Sequence, residues 1–240
     1  MTNTLFPMII VAGGLATRLY PVTKTIPKSL ISIHGKPFID YQLTLLRNKG
    51  ITKVILSLGY LCDSIMQQVG DGKKYNVDVR YSLDGEQLLG TGGAVKNALS
   101  VVESENFFVM YGDSYLDCDF AAVQKKYVTS KKLSLMTIYH NRDQGDKSNI
   151  VYQNNEISVY DKLNKTDDMH YIDYGLGIFN QKAFDLKKKE KKFDLAQLYQ
   201  ALLSRNELAS YEVENRFYEI GSAEGIEAFS RYIPMHLKCE

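Results

Sequence analysis

Cysteine is scarce in this chain, and its three copies (Cys62, Cys118 and Cys239) stand far apart, with no Cys-x-x-Cys pair and no histidine at metal spacing. A disulfide framework and a zinc site are therefore excluded as organising elements, and reduced thiols are expected. The four histidines, His34, His140, His170 and His236, share no spacing either, so none is assigned chemistry. Charge of one sign is equally lacking. Lysine plus arginine number 29 against 28 acidic residues, a formal net charge of +1, so no global field draws the chain to nucleic acid or an anionic membrane. The run KKKEKK (Lys187–Lys192) is the one local exception and reads as a solvated helix end or loop. No apolar run approaches the roughly 20 residues of a membrane span. No secretory signal is visible, because the apolar run ending at Ala12 is short, interrupted by Pro7, and has no basic residue before it. A soluble, cytoplasmic protein with neither a nucleic-acid nor a membrane partner is expected.

What is present is an ordinary globular balance, 45% apolar and 24% charged over 240 residues, long enough to bury a substantial core. The first half alternates short β-branched runs with longer amphipathic ones. Met8–Val11, Lys53–Leu58, Val77–Ser82, Asn106–Tyr111 and Leu133–Tyr139 read as strands. Pro37 opens a helix that Gly50 closes, Asp63 and Asp119 read as helix caps, and a helix follows GTGG through Leu99. This rhythm predicts an α/β, Rossmann-like fold, a mostly parallel mixed sheet with helices on both faces. After about residue 145 the pattern changes. Ile150–Tyr152 and Ile157–Tyr160 flank a hairpin turn, Tyr171–Phe179 is a longer strand, and Asp194–Arg205 and Ala223–Tyr232 are helical, with short strands at Leu208–Glu212 and Phe217–Ile220. The expected organisation is one domain, 1–240, with a core over 1–145 and a small C-terminal β/α elaboration over 146–240.

An open parallel sheet binds ligands at the carboxyl ends of its strands. Residues 11–28, VAGGLATRLYPVTKTIPK, follow the first strand. Backbone N–H groups in such a glycine-rich turn make an anion-binding concavity that side chains would block. Gly13 and Gly14 suit a polyphosphate, with Arg18 as a bidentate clamp and Lys28 as a second cation. The stretch matches neither the P-loop nor the GxGxxG dinucleotide pattern.

The segment AGGLATRLYPVTKTIPKSLISIHGKPFIDYQL resembles the N-terminal signature of the sugar-1-phosphate nucleotidyltransferases. LGTGGA (Leu89–Ala94), YGDSYLD (Tyr111–Asp117), the Asp161-Lys162 pair and FYEIGSAEG near the end follow in the family's order, so the resemblance covers nearly the whole chain. The GTGGA form looks most like the branch holding mannose-1-phosphate and D-glycero-D-manno-heptose 1-phosphate guanylyltransferases. The resemblance implies attack of a sugar 1-phosphate on the α-phosphorus of an NTP, with pyrophosphate leaving and Mg²⁺ as cofactor. Both reactants are anionic, so such a site positions them and neutralises charge without a covalent nucleophile. It implies nucleotide contacts at Ala12, Gly13, Gly14, Thr17, Arg18, Gly90, Thr91 and Gly92, and catalytic roles for Arg18, Lys28 and Asp113. Asp113 and Glu219 are the implied metal ligands, and Asp161, Lys162 and Gly175 the acceptor-binding residues. For Gly175, a strand bulge is the alternative reading. Homodimers are common among the proteins it resembles, so a homodimer is one expectation for the assembly.

Base choice is expected in Asp84–Gly93, where Glu86, or otherwise Asp84, could accept from N1–H and the 2-amino group of guanine. Departures from the family pattern stand out. Ala16 occupies the usual glycine position before Thr-Arg, where a glycine-only angle would strain it, Ser29 replaces the usual proline after Pro27-Lys28, which only relaxes a loop, and Glu219 replaces the usual aspartate. A cytidylyl- or uridylyltransferase, acting on a sugar phosphate or another small phosphorylated molecule, and a nucleotide-sugar-sensing binding module stay open as alternatives.

Overall fold

The computed structural model describes residues 4–14, 16–85, 87–141 and 147–236. β1 (Met8–Val11) ends in the glycine-rich loop, and a small ribbon of β2 (Ser32–Ile33) and β3 (Lys36–Pro37) leads into α1 (Phe38–Asn48). There follow β4 (Lys53–Leu58), α2 (Cys62–Val69), β5 (Asp78–Leu83), α3 (Gly90–Ala98), β6 (Asn106–Tyr111), β7 (Ser114–Tyr115), α4 (Phe120–Ser130) and β8 (Ser134–His140). The second half supplies β9 (Ile150–Gln153), β10 (Glu156–Tyr160), β11 (Tyr171–Asn180), α5 (Leu195–Leu203), β12 (Leu208–Val213), β13 (Tyr218–Glu219) and α6 (Ala223–His236). No helix among the described residues is long and apolar enough to cross a membrane.

Alternation along the strands builds two apolar layers, because successive side chains point to opposite faces. Met8, Ile10, Leu56, Phe108 and Met110 pack in one cluster with Ile39, Leu43 and Leu46 of α1, Ile65 of α2 and Val123 of α4. Ile9, Ile55, Phe107 and Val109 belong to the other, with Val95 of α3 and Leu195, Leu198 and Leu202 of α5. Each such buried side chain contributes roughly 1.5–3 kcal/mol, so both faces of the sheet are firmly covered by helices, as expected. A third cluster seats α6 through Phe229 and Ile233 on Phe38, Tyr115 and Ile220.

The core of the sheet is parallel. β4 and β6 flank β1, and β5 lies beyond β4. The chain moves outward from β1 to β4 and β5, then returns to the other side of β1 for β6. Strand order reverses between β1 and β6, and a crevice opens at the carboxyl ends of strands on either side of such a switch. The second half makes the sheet mixed, since β11 runs antiparallel to β6 and β8 while β12 pairs parallel with β8. Where β11 crosses β8 the register shifts between Asp173 and Gly177, and Gly175 within that shift has φ +94°. Both readings of Gly175 thus meet, for the bulge lies beside the crevice. Asp119 caps α4 as expected, accepting from the Ala122 N–H at 2.9 Å. Asp63 does not cap α2; the N-cap is Leu61, in the left-handed region, and Asp63 lies in the first turn.

Candidate active site

A cleft of about 850 Å³ opens at the β1/β6 switch, with a smaller one of about 170 Å³ beside it. Ala16, Lys28, Thr91, Tyr111 and Asp113 line both. The two glycines after β1 serve different ends. A Cβ on Gly13 would stand 3.0 Å from both Asp84 Oδ2 and the Gly59 amide, so Gly13 is required by close internal packing. A Cβ on Gly14 would meet nothing within 4 Å, and Gly14 lines the smaller cleft. Its bare backbone is spare with respect to the protein and leaves room for a ligand. Ala12, whose N–H is held by the Ser57 carbonyl at 2.8 Å, also lines that cleft. Ala16 adopts φ 50°, ψ 44°, the left-handed conformation that glycine would take without cost. The Thr23 hydroxyl, donating to the Ala16 carbonyl at 2.8 Å, ties the loop down. Thr17 and Arg18 follow in a short 3₁₀ turn and line the large cleft. Arg18 has no carboxylate partner among the described residues.

Asp113 and Glu219 meet on the floor. β7 pairs with β13 so that Glu219 lies opposite Ser114, and the Ile220 N–H donates to the Asp113 carbonyl at 2.9 Å. Lys28 Nζ lies 2.7 Å from Asp113 Oδ2. A Cβ placed on Gly221 would be 2.5 Å from Glu219 Oε2, 3.4 Å from Asp113 Oδ2 and 3.6 Å from Lys28 Nζ. Three charged groups therefore ring one small space. The extra methylene of glutamate does not push its carboxylate outward. The side chain curls back over its own loop, where the Gly221 N–H donates to Oε2 and the Ser222 hydroxyl donates to Oε1 at 3.0 Å. Gly225 is needed too, since a Cβ there would collide with the same carboxylate. Two convergent carboxylates are hard oxygen donors of the kind that hold Mg²⁺ together with substrate phosphates and water. No group of three or more metal-type side chains exists among the described residues.

The opposite wall carries Lys162, which follows β10. Its Nζ lies 3.6 Å from Asp173 Oδ2 and stands over the rings of Tyr111 and Tyr160 at 5.6 and 5.8 Å from their centroids. Gly175 also lines this cleft. Asp161 is used differently from expectation. Its Oδ1 accepts from the Leu163 and Asn164 N–H groups, and its Oδ2 from the Asn164 side chain at 3.0 Å. These bonds, that of the Asn164 side chain foremost, hold its carboxyl below the usual aspartate value. Asp161 shapes the turn that presents Lys162.

GTGG likewise has an internal explanation. The Gly92 and Gly93 N–H groups both donate to the Phe193 carbonyl, at 3.0 and 3.2 Å, and the Leu195 N–H donates to the Thr91 hydroxyl at 2.8 Å. A Cβ on Gly90 would sit 2.6 Å from that same carbonyl. Gly90 and Gly92 thus permit a close backbone approach by the 189–195 segment, and of the three residues expected at the nucleotide only Thr91 lines the clefts. Glu86 lies outside the described residues. Asp84 is half-buried beside Gly13, and its Oδ1 is buried without a hydrogen-bond partner. Burial pushes its carboxyl up to about 6, against the opposing effect of the Leu89 backbone.

Sequence reasoning passed over Asp173, Tyr111, Asn149 and Lys147, all of which line the large cleft. Burial and the nearby carboxylates of Asp173, Asp194 and Asp113 hold the Tyr111 phenol neutral, well above its usual range. An acid in an otherwise apolar strand was the visible signal for Asp173, since such residues are rarely buried unpaired.

A glycine-rich loop, a free arginine, a lysine beside two convergent carboxylates and a second lysine across the cleft define a site for phosphate chemistry on a doubly wound α/β frame. Residues 7–233 match the family model described as "Nucleotidyl transferase", and the chain belongs to that family. It is thus an enzyme of the nucleotidyltransferase class, as the sequence resemblance implied. It is 29% identical over 216 residues to the D-glycero-alpha-D-manno-heptose 1-phosphate guanylyltransferase of Campylobacter jejuni subsp. jejuni serotype O:2, covering 90% of this chain and 95% of that one. It is 26% identical over 220 residues to the N-acetylmuramate alpha-1-phosphate uridylyltransferase of Neisseria meningitidis serogroup B, covering 89% and 92%. Among solved structures, HddC from Yersinia pseudotuberculosis complexed with GMP-PN superposes with a TM-score of 0.77 at 25% identity, covering 95% of this chain and all of that one.

Proposed function

We propose that this chain transfers a nucleotidyl group from an NTP, preferably GTP, to the phosphate of a hexose or heptose 1-phosphate. The products are an NDP-sugar and pyrophosphate, made in the cytoplasm for surface-polysaccharide synthesis. The observation that carries the reading is a pair of adjoining clefts, sharing Lys28, Tyr111 and Asp113, with phosphate-binding groups on two walls. One wall has Gly14, Arg18 and Lys28, and the other has Lys162. A site for one phosphorylated molecule needs only one of them. Two anions held side by side with their charges offset is what an in-line displacement requires.

Gly14 admits the polyphosphate to the loop backbone, and Arg18, lacking an internal carboxylate, clamps it. Lys162 holds the acceptor phosphate so that one of its oxygens faces the α-phosphorus. A bond forms from that oxygen to the α-phosphorus as the bond to the pyrophosphate oxygen breaks, and the departing negative charge is met by Arg18 and Lys28. Asp113 and Glu219 would hold Mg²⁺, which supplies charge neutralisation across the phosphate oxygens. The hydrogen bonds that Gly221 and Ser222 donate hold the Glu219 carboxylate in place for that task.

GTP is favoured by Asp84. Its orphaned buried oxygen is an acceptor in want of donors, and guanine offers two on one edge. The guanylyltransferase relative is consistent with this, whereas the uridylyltransferase relative keeps the base open to test. The test is pyrophosphate release from the four NTPs against a panel of hexose and heptose 1-phosphates. GTP is expected to be the best nucleotide. Turnover of CTP or UTP alone would overturn the guanylyl assignment, and nucleotide-sugar binding without pyrophosphate release from any pair would point to a sensing module instead.

A further inference from the structure

We infer that Asp173 is a positioning residue. It fixes the Lys162 ammonium toward the acceptor phosphate through an ion pair that Tyr160 and Gly175 orient. The inference rests on the proposed reaction only for the identity of the phosphate.

Asp173 lies in β11, which pairs with β6 and β8, and its side chain is 6% exposed. A carboxylate in such a place is retained only when its lone pairs are met. Here they are. Oδ1 accepts from the Gly175 N–H at 3.0 Å, and Oδ2 accepts from the Tyr160 hydroxyl at 3.1 Å and faces Lys162 Nζ at 3.6 Å. Asn149 Oδ1 anchors the backbone by accepting from the Asp173 N–H at 3.1 Å. Lys162 is the open member of the pair, at 38% exposure. The carboxylate is enclosed and the ammonium reaches the cleft, so a ligand meets the lysine while the aspartate decides where that lysine stands. The rings of Tyr111 and Tyr160 confine the ammonium further. A flexible four-carbon side chain is thereby ordered before substrate arrives, which removes part of the cost of binding.

The Gly175 bulge serves the same end. Its φ of +94° turns the 175 N–H onto the Asp173 carboxylate two residues back, closing a local ring that a straight strand would not form.

The experiment has two readouts. Steady-state pyrophosphate release is measured for wild type, Asp173→Asn, Lys162→Gln, the double variant and Tyr160→Phe, as a function of acceptor and of NTP. Asp173→Asn is expected to raise the acceptor KM about tenfold, with the NTP KM moving less than about twofold. In the Lys162→Gln background the same change is expected to add less than about twofold, because the route through the lysine is already gone. Tyr160→Phe should move the acceptor KM in the same direction by less. An equal cost in both backgrounds would overturn the proposal, since Asp173 would then act without Lys162. The second readout needs no substrate. Trace acetylation with acetic anhydride, followed by mass spectrometry, should label Lys162 several-fold faster in Asp173→Asn than in wild type, with Lys28 unchanged; equal Lys162 rates would also overturn it. If wild type releases pyrophosphate with no sugar 1-phosphate, the functional reading falls while the labelling still decides the ion pair. Should Asp173→Asn fail to fold, Tyr160→Phe carries both readouts.

Discussion

Two lysine–aspartate pairs line the cleft, and they expose their charges to it differently. In Lys28–Asp113, at 2.7 Å, both side chains are about a quarter exposed, so the carboxylate and the ammonium are both open to the cleft. In Lys162–Asp173, at 3.6 Å, the carboxylate is sealed and only the ammonium is open. The chemical makeup is the same, yet one pair opens both of its charges to the cleft and the other only its cation. Burial of one partner decides which charge a ligand meets. The surroundings explain the asymmetry, because Asp113 ends a strand at the crevice whereas Asp173 lies within one.

The strongest way to break this contrast is Asp113→Asn. If Asp113 exchanges its lysine for Mg²⁺, the variant should lose about 10³-fold in pyrophosphate release, the scale of removing a group that stabilises transition-state charge. It should also need more Mg²⁺ for half-maximal rate, while nucleotide binding survives. Thermal stability should change little, since the pair is partly solvated and such pairs contribute about 1 kcal/mol or less. A loss below about tenfold would mean that Lys28–Asp113 is only an ion pair.

The glycine-rich wall of the cleft was largely legible in the sequence because its signals are local. Glycines and cations cluster right after an apolar run, and Asp113 directly follows another. What could not be read is why each residue is there. Gly13 is glycine because Gly59 and Asp84 press on it, and GTGG is glycine-rich because Phe193, about 100 residues later, places its carbonyl against it. Both are tertiary contacts that leave no local pattern. Asp161 was read as an acceptor contact because it neighbours Lys162, yet its oxygens are consumed by the turn. Asp63 failed as a cap because Leu61 takes the left-handed position instead. Asp173 was visible only as an anomaly, and its meaning depends on a bulge that no periodicity announces. The fold was easier, since the near-continuous apolar runs of β1, β4 and β6, separated by helical segments, already imply a sheet covered on both faces.

A second test concerns Asp84, the carboxylate beside Gly13 whose buried Oδ1 has no hydrogen-bond partner. Its unfolded-state value is about 3.9, and in the folded chain burial raises it to about 6. The folded state thus holds a proton that the unfolded state has released. Stability is therefore undiminished below about pH 4 and is lost as pH climbs to about 6. Asp84→Asn should accordingly raise the melting temperature at pH 8 and leave it unchanged at pH 4. GTP affinity should run the other way in wild type, strengthening as the carboxylate forms and becoming an acceptor for guanine. Asp84→Asn should weaken GTP about tenfold and flatten that pH dependence. Equal melting gains at both pH values would show that the carboxylate is not under strain from burial.

The smallest expected effect falls on Ala16, and it asks whether the nucleotide wall is preorganised as firmly as the Lys162 wall. Its φ of 50° costs an alanine roughly 1–2 kcal/mol that glycine avoids. Glycine loses more chain entropy on folding, which returns about half of that gain. Ala16→Gly should therefore stabilise by about 0.5–1 kcal/mol, or roughly 1–3 °C in a domain of this size. Activity should stay within about threefold, because the Thr23 hydroxyl still holds the residue 16 carbonyl and keeps the loop in place. A melting temperature that falls would place Ala16 outside the left-handed region. A KM for NTP that rises well beyond threefold, with stability gained, would show that the alanine methyl orders this wall as Asp173 orders the other. The two walls would then share a strategy, each accepting local cost to hold a cation still.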